Sequence, residues 1–77
     1  MADYEPIACA LHERLEFSVL RKLNLELDYT DSTGRHRERV LPLDVVTRDR
    51  SEWLVFQKIN GETVEIRLDA IVSFNEV

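Results

Sequence analysis

The chain has 77 residues, and fifteen acidic against ten basic side chains give it a formal net charge of −5. This length accommodates one small domain, residues 1–77, and excludes a second core. The acidic balance disfavours unspecific binding to nucleic acid, because such binding gains affinity when Lys and Arg displace counterions from phosphates. One cysteine excludes an internal disulfide, and no apolar run approaches the roughly 20 residues of a membrane span. We therefore expect a cytoplasmic protein.

The first predicted element is an amphipathic helix at about residues 8–20, preceded by Pro6, which forces an extended approach. Its apolar residues recur at four-residue intervals, as expected for one buried face. They are Ile7, Leu11, Leu15 and Val19. The complementary arc contains His12, Glu13, Arg14 and Glu16. The helix is therefore predicted to have a mostly acidic outward face.

From Lys22 the apolar period changes to two, which predicts a first strand that ends at the turn residues 31–34. A long second strand is predicted over residues 35–47, with a bend or bulge at Pro42, because proline lacks the ladder donor. The remaining predicted elements are a charged loop at 48–51, a hairpin of strands 53–59 and 62–69, and a short final strand at 70–74.

The hairpin is predicted from Asn60-Gly61, which favours a two-residue turn with positive φ at both positions. That register pairs Val55 with Ile66 and Trp53 with Leu68, and places all four on one side of the sheet. The first hairpin strand is then apolar on both faces, as is typical of a strand in the middle of a curved sheet. One helix followed by five sequential strands indicates an α+β, mostly β fold: a small, partly open antiparallel barrel.

Catalytic and metal-binding residues are few. Cys9 and His12 are three residues apart on the predicted helix, but such a cysteine is usually a small buried residue, and we expect no catalysis by this pair. Structural zinc normally takes four Cys or His ligands, and the chain has three such residues. Gly34 and Gly61 both lie in predicted turns, so no loop that cradles phosphate is indicated. We expect no enzyme activity, no cofactor and no metal.

Several segments, from the first residues to the last, resemble the Rof family of bacterial Rho-binding antiterminators. The most specific are the opening Tyr4-Glu5-Pro6-Ile7-Ala8-Cys9 and the closing Arg67-Leu68-Asp69-Ala70-Ile71 with Ser73-Phe74. Between them lie Leu15-Glu16-Phe17, Leu23-Asn24-Leu25-Glu26-Leu27, Glu52-Trp53-Leu54-Val55 and Gly61-Glu62. The resemblance implies an N-terminal helix on an Sm-like barrel, in agreement with the predicted element order.

The same resemblance implies a function: binding to the N-terminal, RNA-binding domain of the termination factor Rho, which keeps RNA from its primary site and inhibits Rho-dependent termination. An acidic domain suits this task, because a groove that attracts phosphates is electropositive. The resemblance implies His12, Glu13 and Glu16 on the helix as partner-facing residues, with Asp49 and Arg50 beside them. We expect a monomer that does not bind nucleic acid directly.

Two alternatives stay open. The barrel could bind RNA itself as a small chaperone, in which case a ring of six or seven subunits would be expected rather than a monomer. Strand alternation places three arginines of the second strand on one face, and two more follow in the charged loop. These residues are Arg35, Arg37, Arg39, Arg48 and Arg50. The domain could also be an interaction module for another cytoplasmic protein, and the stripe at residues 35–39 could face RNA, a partner or solvent.

Overall fold

The computed structural model describes residues 9–77, with side chains from Ala10 onward. The predicted extended approach at Pro6, most of the opening motif and the environment of the Cys9 side chain lie outside the described residues. The elements in chain order are helix α1 (Cys9–Arg21) and strands β1 (Leu25–Asp31), β2 (Gly34–Arg48), β3 (Ser51–Lys58), β4 (Thr63–Arg67) and β5 (Ile71–Glu76). A single 3₁₀ turn, Leu68–Ala70, precedes β5. The predicted order of one helix and five strands is confirmed.

The strands form one antiparallel sheet in the order β4-β3-β2-β1-β5. A barrel would require hydrogen bonds between β4 and β5, and the sheet ladders of residues 9–77 contain no such pairing. The predicted barrel is therefore corrected to an open five-stranded antiparallel sheet with β4 and β5 as its edges. None of the helices in this part of the chain has both the length and the apolarity that crossing a membrane requires.

Strand β2 bends at the predicted position. Its pairing with β3 shifts register between Pro42 and Asp44, so that Leu43 is the extra residue of a β-bulge. Proline has no N–H to donate to the ladder, which explains why the irregularity falls here. The first half of β2, up to Val40, pairs with β1, and the second half, from Val40 onward, pairs with β3, so the bulge lies within the part of β2 that pairs with β3.

The β3–β4 hairpin differs from the prediction by one residue. The Gly61 N–H and the Lys58 carbonyl are hydrogen-bonded at 2.9 Å, and the Lys58 N–H donates to the Glu62 carbonyl at 2.8 Å. The loop therefore has three residues, closed by Gly61 at φ +89°, a form in which glycine adopts the left-handed conformation and completes a bulge. Leu54 consequently lies opposite Ile66. The predicted two-residue register was wrong.

This register decides which side of β3 enters the core. Leu54 and Phe56 are fully buried, whereas Trp53 and Val55 of the other face are only partly buried. The buried apolar cluster comprises Leu15, Leu25, Leu27, Tyr29, Val40, Leu54, Phe56, Ile66, Leu68 and Phe74. Its contribution from α1 is Leu15, with Val19 packed against the edge of the cluster. The helix therefore packs on one side of the sheet, and the flank of the helix that faces away from the sheet is exposed to solvent.

Tyr29 is an aromatic residue of the core. Its ring packs edge to face with Phe56 at 5.5 Å between centroids, and its hydroxyl donates a 2.5 Å hydrogen bond to Glu38 Oε2. Burial, followed by this bond to a carboxylate, raises the pKa of Tyr29 well above its ordinary value, because both disfavour the phenolate. The hydroxyl is thus held protonated in the fold. Trp53 lies on the other face of β3 and is only partly buried.

Candidate functional site

The outward flank of α1 carries two acidic and two apolar residues in one stripe. Glu13, Glu16, Phe17 and Leu20 are spaced i, i+3, i+4 and i+7, and such residues are neighbours on a helix surface. Phe17 is 50% exposed and Leu20 is 80% exposed, and the two side chains are neighbours on the helix surface. The stripe therefore combines negative charge with apolar surface that the fold does not bury.

A groove separates this stripe from strand β2. It encloses about 430 Å³. Its walls are formed by Glu13, Glu16, Phe17, Val19 and Leu20 of the helix and by Asp44 and Val45 of β2. Asp44 immediately follows the extra residue of the bulge, and its Oδ1 accepts the Val45 N–H at 2.9 Å. We call this feature the α1–β2 groove.

His12 links the helix to the sheet at one end of the groove. Its Nδ1 lies 2.8 Å from Glu16 Oε1, and its Nε2 lies 2.9 Å from Glu52 Oε2 on β3. The buried Nε2 does not meet the geometry of a hydrogen bond, so its approach to Glu52 is an electrostatic contact. His12 therefore fixes the Glu16 carboxylate and holds α1 against β3, and a contact to a partner would add to this structural role.

Arg14 anchors the other flank of the helix. Its guanidinium bonds Glu76 of β5 at 2.8 Å and lies 4.8 Å from the centre of the Phe74 ring. The side-chain hydrogen bond from Arg14 lowers the pKa of Glu76, because it favours the carboxylate form. His12 contacts β3 and Arg14 contacts β5, so the helix is held to the sheet on both of its sides. These contacts fix the helix wall of the groove relative to the sheet.

Asp49 and Arg50 form the two-residue turn between β2 and β3. Both have positive φ, +53° and +62°, as a type I′ turn requires. The turn is braced by Arg48, which stacks on Trp53 at 4.7 Å from the ring centre and pairs with Glu65. The contact between His12 and Glu52 brings the helix to the same end of the hairpin, one ladder position from the residues that close the turn.

The five residues predicted to face a partner thus fall in two groups. The helix carries His12, Glu13 and Glu16 together, and the hairpin end carries Asp49 and Arg50. Sequence reasoning did not identify Phe17, Leu20 and Asp44, which also line the groove. The helical spacing of the first two was a readable signal, whereas nothing local indicated Asp44, because its place in the groove depends on the bulge in β2.

Most acidic side chains of the described chain have a basic partner. Among residues 9–77, only the side chains of Glu13, Asp44 and Asp49 have no Lys, Arg or His nitrogen at salt-bridge distance, although for Glu16, Asp31 and Glu52 that neighbour is a histidine, which is charged only when protonated. Two of these three line the α1–β2 groove. Within the described part, negative charge without a basic partner is therefore found at the groove and at the neighbouring turn.

The predicted basic stripe is largely compensated. Arg35 donates two hydrogen bonds to Asp28, at 2.9 and 2.7 Å, and Arg37 donates one to Glu26 at 2.8 Å. The bond from Arg35 lowers the pKa of Asp28 by favouring its ionised form. Cross-strand ion pairs of this kind leave little net positive potential for phosphates, so the geometry of the stripe does not favour RNA binding.

The second histidine, His36, lies on β2 beside the β1–β2 turn. His36 Nε2 lies 3.0 Å from Asp31 Oδ1 and 2.8 Å from the Thr33 hydroxyl, while the Thr33 hydroxyl and N–H both donate to Asp31. The hydrogen bonds from Thr33, assisted by His36, lower the pKa of Asp31 to about 2. Asp31, Thr33 and His36 thus contact one another, and these contacts stabilise the β1–β2 turn. No cluster of three or more metal-ligating side chains occurs among residues 9–77.

The fold and the groove define a small α+β domain of the binding-module type, in which an open sheet carries a helix with an acidic and apolar outer stripe. Comparison with known proteins assigns this domain to a family. The family model of modulators of Rho-dependent transcription termination (ROF) matches residues 6–77. This chain belongs to that family.

Curated relatives support the assignment. The Rof proteins of Escherichia coli strain K12 and of Shigella flexneri are each 36% identical over 72 residues, which is 94% of this chain and 81% of theirs. Among solved structures, the proteasome accessory factor B/C of Arthrobacter aurescens superposes with a TM-score of 0.78 at 15% identity. That match covers 94% of this chain but 12% of the other, and at this identity it shows a shared fold alone.

Proposed function

We propose that this protein binds the N-terminal, RNA-binding domain of Rho, keeps RNA from its primary site and thereby inhibits Rho-dependent termination. Family membership supports Rho as the partner. The observation that carries the proposal is the outer surface of α1, where acidic side chains adjoin exposed apolar ones beside the groove. A surface of this kind is suited to a partner site that normally attracts phosphates.

The physical basis is competition for the same positive potential. RNA reaches its site through contacts between phosphates and basic side chains, and a carboxylate surface can satisfy the same basic groups. A formal net charge of −5 also accelerates the encounter with a basic surface. We propose that His12, Glu13 and Glu16 contact Rho from the helix, with Asp49 and Arg50 contacting it from the turn.

We further propose that the open sheet is of the Sm-like type, that the protein acts in the cytoplasm as a monomer, and that it inhibits by contact and not by catalysis. The protein would then need no bound nucleic acid. The ion pairs of Arg35 and Arg37 support this part of the proposal, because they occupy two of the arginines that the RNA-binding alternative would require.

A competition assay tests the proposal. Purified Rho is loaded with a labelled pyrimidine-rich oligonucleotide at its primary site and titrated with this protein, while a control contains oligonucleotide and this protein without Rho. We expect displacement from Rho and no binding in the control. Direct binding of the oligonucleotide with Rho still occupied would overturn the proposal in favour of the RNA-binding alternative, and a ring-shaped oligomer by light scattering would count in the same direction.

A further inference from the structure

The α1–β2 groove pairs an apolar floor with carboxylates that have no basic partner. Phe17, Leu20 and Val45 supply apolar surface. Glu13 and Asp44 lie at its walls and are not ion-paired within residues 9–77, although acidic residues elsewhere in this part of the chain almost all are. Because almost all other acidic side chains of residues 9–77 already have basic neighbours, these two carboxylates on one apolar groove are available to a cation from outside the chain.

The apolar surface beside the carboxylates favours one kind of cation, a basic side chain with a long methylene stem. Lysine and arginine place their methylene stems on apolar surface while the charged head remains with polar groups. Leu20, at 80% exposure, and Phe17, at 50%, offer such a surface beside the carboxylates. The guanidinium of Arg21 already lies 5.2 Å from the centre of the Phe17 ring, which shows that this ring is accessible to a cation. Arg21 forms no ion pair with Glu13 or Asp44.

We propose that the α1–β2 groove receives one lysine or arginine side chain from the RNA-binding surface of the partner, with its stem on Leu20 and Phe17 and its head at Glu13 and Asp44. This inference rests on the proposed function and extends it from the helix to strand β2. Asp44 becomes a contact residue, positioned by the bulge at Leu43 and by the hydrogen bond from the Val45 N–H.

Two substitutions test the two halves of the groove. Asp44→Asn removes the charge but keeps an amide oxygen that can accept the Val45 N–H, so the bulge is preserved. Leu20→Ser removes apolar floor from a side chain that makes little contact with the core. Glu62→Gln is the control for charge, because Glu62 lies in the β3–β4 hairpin, does not line the groove and is 60% exposed, and its contact with Lys58 at 3.6 Å is a surface ion pair of small energy.

Affinity for full-length Rho is measured by fluorescence anisotropy at several salt concentrations, with thermal unfolding as a check on folding. Asp44→Asn should weaken binding about 10-fold and reduce its salt dependence, as expected for the loss of one interfacial ion pair. Leu20→Ser should weaken binding about 3- to 10-fold with the salt dependence unchanged, because the lost contact is apolar. Glu62→Gln should change neither property.

The outcomes separate the inference from the proposed function. If the unsubstituted protein binds Rho and both groove variants bind it equally well, the groove proposal is overturned while the proposed function stands. A loss of affinity in Glu62→Gln as large as in Asp44→Asn would also overturn the groove, because it would show an effect of net charge alone. Absence of binding by the unsubstituted protein overturns the proposed function and the inference with it.

Discussion

Reversal of the charge at Glu13 is the sharpest perturbation of the helix surface. Glu13 is exposed and pairs with no basic residue of the described chain, so Glu13→Lys removes no interaction of the fold. Glu16 is different, because its carboxylate lies 2.8 Å from His12, and reversing it would also weaken the contact of the helix with β3. Glu13→Lys therefore tests partner binding with only a small change in stability, because the new lysine meets the helix dipole and the nearby Glu16 at an exposed position.

The expected magnitude follows from the exposure of the site. An ion pair at a solvated surface contributes about 0.5–1 kcal/mol, and reversal replaces that attraction with a repulsion of similar size. The loss of about 1–2 kcal/mol corresponds to a dissociation constant for Rho that is about 5- to 30-fold larger. The effect should shrink with salt, because the screening length falls from about 10 Å at 0.1 M to about 3 Å at 1 M.

Isothermal titration of Rho at low and high salt measures this effect, and circular dichroism melting verifies the fold. Glu62→Lys is the control, since it changes the formal net charge of −5 by the same two units at a site away from the helix. The reasoning is refuted if the two variants lose affinity equally, which would leave only long-range steering, or if Glu13→Lys binds as tightly as the unsubstituted protein at low salt.

Three further predictions concern stability and the turn. Tyr29→Phe should lower the free energy of unfolding at neutral pH by about 1–2 kcal/mol, because it removes a hydrogen bond to a carboxylate. Since the folded-state pKa of Tyr29 is raised, its contribution is present below about pH 10 and is lost as pH rises further, by up to about 1.4 kcal/mol per pH unit; denaturant titrations from pH 8 to 11 should show this alkaline loss reduced in the variant. Leu15→Ala should cost about 2–5 kcal/mol, enough to unfold much of so small a domain, and a thermal scan that showed an unchanged midpoint would contradict the helix packing. Arg50→Gly should raise stability by about 1 kcal/mol by relieving the left-handed φ of +62°, and reduced Rho binding by the more stable variant would show that this side chain contacts the partner.

The elements of the fold were predictable because their signals are local. The change of apolar period after Lys22 separated the helix from the first strand, and helix α1 ends at Arg21, one residue from its predicted end. Pro42 marked the bulge correctly, because the missing N–H acts at that residue alone. Each of these features is decided within a few residues of chain, where the sequence carries most of the information.

The register of β3 was not predictable in the same way. Asn60-Gly61 is compatible with a two-residue loop and with a three-residue loop that includes Ile59, and the two differ in which face of β3 enters the core. Apolar residues occupy both faces of β3, so its own pattern could not decide. Packing of Leu54 and Phe56 with the rest of the core decided it. The positive-φ pair formed instead at the next turn back along the chain, at Asp49 and Arg50, where the residue types give no strong signal.

The distribution of ion pairs connects the acidic composition to function. In a domain of net charge −5 the long-range field steers encounter with any basic surface, but it gives no position and no orientation. The pattern of local pairing gives the position and the orientation of binding, because a carboxylate beside a Lys, Arg or His of its own chain is less able to bind a cation of a partner. The described carboxylates left over are Glu13 and Asp44 at the groove and Asp49 at the adjoining turn. Within the described residues, carboxylates without a basic neighbour are thereby confined to the groove and to the end of the β2–β3 hairpin, and this is the surface that we propose for partner contacts.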